Sequence, residues 1–350
     1  MKRMQTLVKA LRRPNKMIRR LVEKLQRYPF DRRMKRLTIE AFEQSGGEAH
    51  KQIQAAARLA FGLAAGELAD ITSAREFCHG VIKALRQRYE HGEKKTFGTC
   101  PLGFAKLVAN CSSRSQMEAE VYLYGFCRPL PLFYAYAYCL RPGSTAVDVG
   151  GNLGLHALAM ATAIGTEGQV VTYEPRTDLA DRLRNNVLLN KLEARFQIRN
   201  VGVGRETGTV RFSPEAGNFN EGLGHRDAAG SSTMQVVTLD EDLANHTRMI
   251  GLMKIDVEGM ELEVLAGAKR LLAKHQPCLV VEYREDKLPE WNLGTLQKLI
   301  PYAVDVFGIP RRLGPLVRVE TGNRAPGCDD LLLTPRGMVD DVHAYMHGLR

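Results

Sequence analysis

Carboxylate side chains stand at the ends of four strands that the sequence predicts. They are Asp148, Glu174, Asp256 with Glu258, and Glu282. Parallel α/β sheets bind their ligands at the carboxyl ends of the strands, so these side chains are predicted to share one pocket. One buried carboxylate is often part of a structural ion pair, whereas several that converge indicate a cationic ligand, a metal ion or acid–base chemistry.

A glycine turn follows the first of these strands. The motif Asp148-x-Gly150-x-Asn152-x-Gly154 comes after the apolar, β-branched run Thr145–Val149 and before a helical run of small residues. Strand, glycine turn and helix open a nucleotide-binding βαβ unit, although a tight turn without a ligand is the alternative. The spacing departs from the G-x-G-x-x-G dinucleotide fingerprint, and a carboxylate at the strand end would repel a pyrophosphate. The motif therefore favours a cationic, amine-bearing ligand such as S-adenosylmethionine over a nicotinamide dinucleotide.

The next two strands end in polar groups that suit a nucleoside. Glu174 follows Asp148 by twenty-six residues, and its carboxylate can accept two hydrogen bonds from a ribose diol. The alternative for Glu174 is a helix-capping carboxylate. Asn200 follows the third strand, where its amide could frame an adenine.

The positive charge of the chain is concentrated at its start. The 350 residues carry a net charge of +10, yet residues 1–36 alone hold fourteen Lys and Arg against two acidic residues. This segment has apolar residues at helical spacings, which predicts a basic amphipathic helix. Such a helix can bind an anionic membrane surface, nucleic acid or an acidic partner, or simply pack its apolar stripe on its own domain. The remaining chain is nearly neutral.

Strands and helices alternate from residue 146 onward, which predicts an α/β fold with a mainly parallel sheet. Two further β-like runs, 209–212 and 234–239, flank a glycine-rich loop at 213–232, and residues 37–100 are predicted to be a helical cap or interaction region. The predicted strands are 145–149, 169–173, 195–201, 253–256, 278–282, 303–307 and 331–334, and the predicted helices are 129–140, 155–164, 177–190, 261–274 and 293–300.

Cysteine usage and hydropathy point to a cytoplasmic protein. The seven cysteines form no C-x-x-C pair or zinc-like spacing, as expected of reduced, mostly buried thiols. No apolar run reaches the length of about 18 residues that a membrane-spanning helix needs, and no signal-peptide pattern is present. Peripheral association with a membrane through residues 1–36 is the alternative location.

Together these motifs resemble the FkbM-type S-adenosylmethionine-dependent methyltransferases. The resemblance runs from about residue 118 to residue 336 and leaves residues 1 to about 100 outside it. A glycine stands at Gly151, where the family more often has alanine. The most specific piece is Lys254–Gly267, because generic methyltransferases share the glycine turn but not this segment. The matching pieces are Asp148-Val-Gly-Gly-Asn-Leu-Gly154, Glu174-Pro175, Asn185 and Asn190, Thr238-Leu-Asp240 and Lys254-Ile-Asp-Val-Glu-Gly-Met-Glu-Leu-Glu-Val-Leu-Ala-Gly267.

The resemblance implies a Rossmann-like, seven-stranded class I methyltransferase sheet, with residues 331–334 as an antiparallel last strand. We expect this domain to span residues 101–340, and the helical spacing of the preceding residues predicts a helical N-terminal extension. It implies O-methylation of a hydroxyl of a glycan, glycolipid or small-molecule natural product. Asp256 or Glu258 is the first candidate for the general base or a metal ligand. His225 is the second candidate for a catalytic residue, with a solvent-exposed loop histidine as its alternative. The cofactor-binding residues expected are Asp148, Gly150, Asn152, Gly154, Glu174 and Asn200.

Two other functions compete with this one. A nucleic-acid methyltransferase could hold phosphates with residues 1–36, but the rest of the chain is nearly neutral and lacks an Asn/Asp-Pro-Pro-Tyr/Phe-like element. A non-catalytic protein could bind a membrane or a partner on a methyltransferase scaffold, but the acidic strand ends are intact. The sequence identifies neither the acceptor nor the oligomeric state.

Overall fold

The computed structural model describes residues 97–101, 105–110, 118, 121, 130–214, 224–226, 232–283, 292–310, 316–320 and 328–338. The chain divides into two compact units, and the second comprises Phe104–Leu107, Arg128–Asn218 and Gly222–Arg350. The basic segment 1–36 lies outside the described residues. So does the predicted helical region 37–100, except for its last four residues, which belong to strand β1 (Phe97–Pro101). None of the helices in the described ranges is long and apolar enough to cross a membrane.

An eight-stranded, mostly parallel sheet forms the centre of the second unit. The strand order is β13-β12-β14-β11-β10-β3-β4-β5, and β14 runs antiparallel to both of its neighbours, β11 and β12. The predicted α/β class is confirmed, because seven of these strands are the predicted ones. The eighth, β13, has only two residues at the sheet edge, too few for a sequence pattern to reveal. The strands are β3 (Thr145–Val149), β4 (Gln169–Tyr173), β5 (Phe196–Arg199), β10 (Ile250–Ile255), β11 (Cys278–Glu282), β12 (Val304–Pro310), β13 (Val317–Arg318) and β14 (Cys328–Pro335).

Apolar side chains cover both faces of this sheet, because successive residues of a strand point to opposite sides. Val147 and Val149 of β3 belong to one buried cluster, and Ala146 belongs to the other, which also contains Tyr136 and Met160. A valine or methionine among them contributes roughly 1.5–3 kcal/mol when fully buried. The helices are α1 (Leu130–Cys139), α2 (Leu155–Ala163), α3 (Thr177–Leu189), α4 (Leu239–Asp242), α5 (Glu261–Ala266), α6 (Lys269–His275) and α7 (Leu293–Leu299).

A second, four-stranded sheet interrupts the alternation between β5 and β10. Its order is β6-β9-β7-β8, and it replaces part of the loop that was predicted for residues 213–232. The prediction of a continuous loop there was wrong, because β8 is a short strand of three residues paired with β7. Strands β1 and β2 (Lys106–Asn110) pair with each other in a separate two-stranded sheet. The strands of the four-stranded sheet are β6 (Gly202–Val203), β7 (Gly208–Pro214), β8 (Gly224–Arg226) and β9 (Ser232–Val237).

Two predicted elements end earlier than expected. The strand predicted at 234–239 stops at Val237, because the Thr238 hydroxyl accepts a hydrogen bond from the amide of Glu241 and caps α4. The helix predicted at 261–274 is broken at Gly267. A Cβ atom on this glycine would lie 2.0 Å from the carbonyl oxygen of Gly204, so the chain passes too closely for any side chain.

Two histidines lie at the amino edge of the sheet and should make stability fall in acid. His246 Nε2 is 3.0 Å from the hydroxyl of Thr145, and His275 Nδ1 accepts a hydrogen bond from the amide of Ile250. Burial and the nearby Lys274 ammonium lower the pKa of both histidines. The folded state therefore binds fewer protons than the unfolded state, and stability should fall as pH drops through the unfolded pKa of about 6.5.

Thermal melting of wild-type protein and of the double variant His246→Gln/His275→Gln, between about pH 8 and pH 5, checks this expectation. The variant should lose less stability than the wild type over that interval. An equally steep decline in both proteins would mean that other groups cause the acid sensitivity.

Candidate functional site

A row of buried polar side chains crosses the carboxyl edge of the parallel strands. Thr172 of β4, Asp148 of β3 and Lys254 of β10 are register partners on adjacent strands. Their exposed fractions are 0%, 0% and 1%. Because Val147 and Val149 point to the opposite face, alternation places Asp148 on the face that α1 and α2 cover. The fold thus brings charged groups together in an apolar layer.

Asp148 is the most isolated charged group of this row. Neither of its carboxylate oxygens has a hydrogen-bond partner of normal geometry within the described part of the chain. Burial raises the pKa of Asp148 to about 7; the charges of Asp256 and Glu174 add to the rise, whereas Lys254 and the amide of Ala157 oppose it. Buried polar groups are normally satisfied, so this carboxylate is suited to receive the ammonium group of a ligand.

The glycine turn brings the strand ends β3 and β10 into contact. Gly150, Asn152 and Gly154 all have positive φ angles, of 92°, 47° and 89°. A Cβ atom on Gly150 would lie 1.9 Å from the carbonyl oxygen of Asp256. Only glycine allows this approach, and the approach holds the turn after Asp148 against the loop that carries Asp256.

Glu174 is fixed in place by two backbone amides. Its Oε2 atom accepts a hydrogen bond of 2.9 Å from the amide of Asn152, and Oε1 accepts one of 2.9 Å from the amide of Arg176, just before α3. Burial raises the pKa of Glu174, and the two amides oppose the rise. Each carboxylate oxygen has two lone pairs, so the residue can steady the helix start and still accept hydrogen bonds from a ribose.

Asn200 uses its side chain within the protein. Its amide nitrogen donates to the carbonyl oxygens of Glu174 and Pro175, at 2.8 and 3.0 Å, and its Oδ1 atom accepts from the Thr177 hydroxyl. Both amide hydrogens are therefore engaged. We expect Asn200 to shape the wall beside Glu174 and not to donate hydrogen bonds to an adenine.

An acidic cluster follows the ends of β10 and β11. One carboxylate oxygen from each of Asp256, Glu258 and Glu282 lies within 4.8 Å of the others, and Glu258 has a left-handed φ of 55°. Burial, followed by the charges of neighbouring carboxylates, raises the pKa of Glu282 to about 9. At neutral pH Glu282 is therefore expected to carry a proton unless a cation binds beside it. The acidic side chains predicted at these strand ends are together, as expected.

His225 lies apart from these strand ends in the topology. It is the central residue of β8, where its register partner is Ser213 of β7. The described part of residue 225 is its backbone, so its catalytic role stays a prediction.

Sequence reasoning gave no individual role to three charged residues that shape the site. Lys254 donates a 2.8 Å hydrogen bond from Nζ to Oδ2 of Asp256. Glu261 accepts hydrogen bonds from the amides of Val257 and Gly259 and so fixes the loop between them. Asp330 pairs in register with Glu282. A lysine inside an otherwise apolar strand was the available signal for a buried ion pair.

The pKa of Asp148 predicts how binding of a cationic ligand depends on pH. Because the ionised carboxylate attracts an ammonium group, affinity should fall as pH drops below about 7, by up to about tenfold per pH unit. Calorimetric titration with S-adenosylmethionine between about pH 6 and pH 8 measures this dependence. The variant Asp148→Asn should bind weakly, and its affinity should change less with pH. If its affinity changed with pH as steeply as that of the wild type, Asp148 would not be the group that titrates.

Residues 148–314 match the family model of the methyltransferase FkbM domain. This part of the chain is similar to FkbM methyltransferase domains. The match begins at Asp148 and spans the glycine turn, Glu174 and the acidic cluster.

Two curated relatives of the chain are named as methyltransferases. The chain is 31% identical over 126 residues to the hexuronic acid methyltransferase AglP of Haloferax volcanii, covering 36% of this chain and 50% of that protein. It is 34% identical over 77 residues to a protein-L-isoaspartate O-methyltransferase of Methanothrix thermoacetophila, covering 22% of this chain and 34% of that protein. The chain thus spans half or less of the length of these relatives.

Two solved structures resemble the chain at low identity. The methyltransferase FkbM of Methylobacillus flagellatus has a TM-score of 0.37 and 18% identity, over 61% of this chain and 52% of that one. A SAM-dependent O-methyltransferase of Thermotoga maritima has a TM-score of 0.33 and 15% identity, over 58% and 63% of the two chains.

S-adenosylmethionine is the methyl donor of an FkbM methyltransferase domain, and the residues of this site fit it. Asp148 offers an unpartnered carboxylate for the amino group of the methionine part. Glu174 offers an oriented carboxylate for the ribose. The turn at Gly150 and Gly154 leaves the backbone open to close approach of a ligand.

Proposed function

We propose that this chain is an S-adenosylmethionine-dependent O-methyltransferase that acts on a glycan, with a sugar hydroxyl as the acceptor. The observation that carries the proposal is the buried, unpartnered carboxylate of Asp148 beside the Lys254–Asp256 pair. This arrangement provides one carboxylate for a cationic methyl donor and a second one, held in place, for the acceptor. The similarity to a hexuronic acid methyltransferase supports a sugar as the acceptor class.

Each carboxylate has a separate task in this mechanism. When bound, S-adenosylmethionine supplies an electrophilic methyl group. Asp148 would hold its ammonium group and Glu174 its ribose. Asp256 accepts the proton of the acceptor hydroxyl, and Glu258 lines the same side of the pocket. Much of the rate enhancement comes from holding the acceptor oxygen in line with the methyl group.

The test is a turnover assay with labelled S-adenosylmethionine and three acceptor classes. These are oligosaccharides containing hexuronic acids, the same oligosaccharides with reduced carboxyl groups, and RNA. Methylation of both oligosaccharides as a base-stable ether supports the proposal. If only the unreduced sugar is methylated, and the product is a base-labile ester, the acceptor is a carboxylate and not a hydroxyl. Methylation of RNA alone would replace the proposal by the nucleic-acid alternative.

We further propose that the enzyme works in the cytoplasm, at an anionic membrane surface where lipid-linked glycans are made. The support is the charge of residues 1–36, which hold fourteen Lys and Arg against two acidic residues. Sedimentation with vesicles that contain about 30% anionic lipid should remove the full chain from solution and leave a chain without residues 1–36 behind. Equal sedimentation of both chains would contradict this location.

A further inference from the structure

Lys254, the lysine in the row of buried polar side chains, has several carboxylates near its ammonium group. Lys254 is 1% exposed, and the charges of Asp256, Asp148 and Asp330 all act on it. Burial lowers the pKa of Lys254, but these carboxylates outweigh burial and raise it overall, so the side chain is a cation. Of its acidic neighbours, Asp148 is the register partner on the adjacent strand.

Lys254 bonds to Asp256 and leaves Asp148 without a partner. Its Nζ atom lies 2.8 Å from Oδ2 of Asp256 in an ion pair. Both oxygens of Asp148 lack hydrogen bonds in the described ranges, even though Asp148 is the more deeply buried of the two acids. The ammonium group thus fixes the acid on the acceptor side and leaves the acid on the cofactor side for a ligand.

The two acids differ in their freedom to move. Asp148 lies inside β3, where the strand holds it between neighbours on both sides. Asp256 lies just past the end of β10, in a loop whose next residues include the left-handed Glu258 and Gly259. A carboxylate in such a loop can rotate, and a buried charge-assisted hydrogen bond is a strong restraint on that rotation.

We propose that Lys254 is a positioning residue, which holds the carboxylate of Asp256 towards the acceptor while Asp148 stays free for the methyl donor. The proposal rests on the proposed function, because it assigns Lys254 to the step in which Asp256 accepts a proton. It makes Lys254 act through Asp256 and not through cofactor binding.

A double-mutant cycle tests this. Asp256→Asn should lower kcat about a hundredfold or more, as expected for loss of a general base. Lys254→Met should lower kcat at least about tenfold. Because Lys254 also lowers the pKa of Asp148, the Kd for S-adenosylmethionine is compared at about pH 9, where Asp148 is ionised, and should there stay within about threefold of wild type. The double variant should be no slower than Asp256→Asn alone, since the lysine has nothing left to position. The control Lys274→Met removes a lysine at the opposite edge of the sheet, where Nζ donates to the carbonyl of His246, and should keep wild-type kcat.

Any of three results would overturn the proposal. The first is a double variant whose loss of kcat equals the two single losses combined. The others are a Lys254→Met variant whose slower turnover is explained entirely by weaker cofactor binding, and a Lys254→Met variant with unchanged turnover. If Lys254→Met does not fold, Lys254→Gln replaces it in the same cycle, because glutamine keeps a hydrogen-bond donor on a slightly shorter side chain. Its kcat should lie between the values of the wild type and of Asp256→Asn. Failure of the proposed function is distinguishable, because in that case wild-type protein itself transfers no methyl group to an acceptor hydroxyl.

Discussion

Replacing Asp148 and Glu174 together with Asn and Gln should lower the affinity for S-adenosylmethionine about a hundredfold or more. Each carboxylate is expected to make charge-assisted hydrogen bonds with the ligand, and the loss of one such bond costs about 1.5–3 kcal/mol. Because 1.4 kcal/mol corresponds to a factor of ten in Kd, two losses multiply to at least that effect. Calorimetric titration of the wild type and of the three variants measures the single and combined losses.

A nearby carboxylate provides the control. Asp178 lies in the first turn of α3, where its exposed side chain pairs with Arg176 at 2.7 Å. Asp178→Asn removes the same charge close to Glu174 but should leave the affinity unchanged within about threefold. If the double variant bound as tightly as the control, the cofactor would have to lie elsewhere on the domain.

Gly150→Ala should prevent the strand ends from meeting and lower the free energy of unfolding by at least about 3 kcal/mol. A methyl group at this position would lie 1.9 Å from the carbonyl oxygen of Asp256, and the φ angle of 92° is unfavourable for alanine. Relief of the clash requires movement of the loop that carries Asp256, so turnover should fall as well. Chemical denaturation with urea gives the loss of stability.

Gly143→Ala separates the two causes. Gly143 also has a positive φ, of 80°, but a Cβ atom there would have no neighbour within 4 Å. Its substitution should therefore cost only the backbone strain, about 1–2 kcal/mol. If both variants lost the same free energy of unfolding, the close approach of Gly150 to Asp256 would not be the cause of the loss in Gly150→Ala.

Strand positions and the cofactor side of the site follow from local sequence. Apolar, β-branched runs flanked by turn residues reveal buried strands wherever the sheet is placed. Asp148, Gly150 and Glu174 lie within one βαβ unit. The two strands of such a unit end at the same edge of the sheet, so residues at both strand ends are expected to be close in space. The cofactor side of the site could therefore be predicted without any contact between distant parts of the chain.

Other features depend on contacts that local sequence does not encode. The break at Gly267 arises from its approach to Gly204, far away in the sequence. Asp330 was missed because it lies near the start of β14, and an antiparallel strand brings its start, not its end, to the carboxyl edge. The partner of Lys254 could not be chosen from sequence, because three acids compete for it and it bonds to Asp256 and not to its register partner Asp148.

The pairing of β3 with β10 also determines when the site can exist during folding. Asp148 and Lys254 are register partners although more than a hundred residues separate them in the chain. Such long-range parallel pairs form late, because closing a long loop costs entropy before the pair gains any contacts. A chain that has folded only its first βαβ unit therefore has the glycine turn without the acid that faces it. That unit already carries Asp148 and Glu174, but the proposed methyl transfer also needs Asp256, so the site is complete only when β10 has joined the sheet.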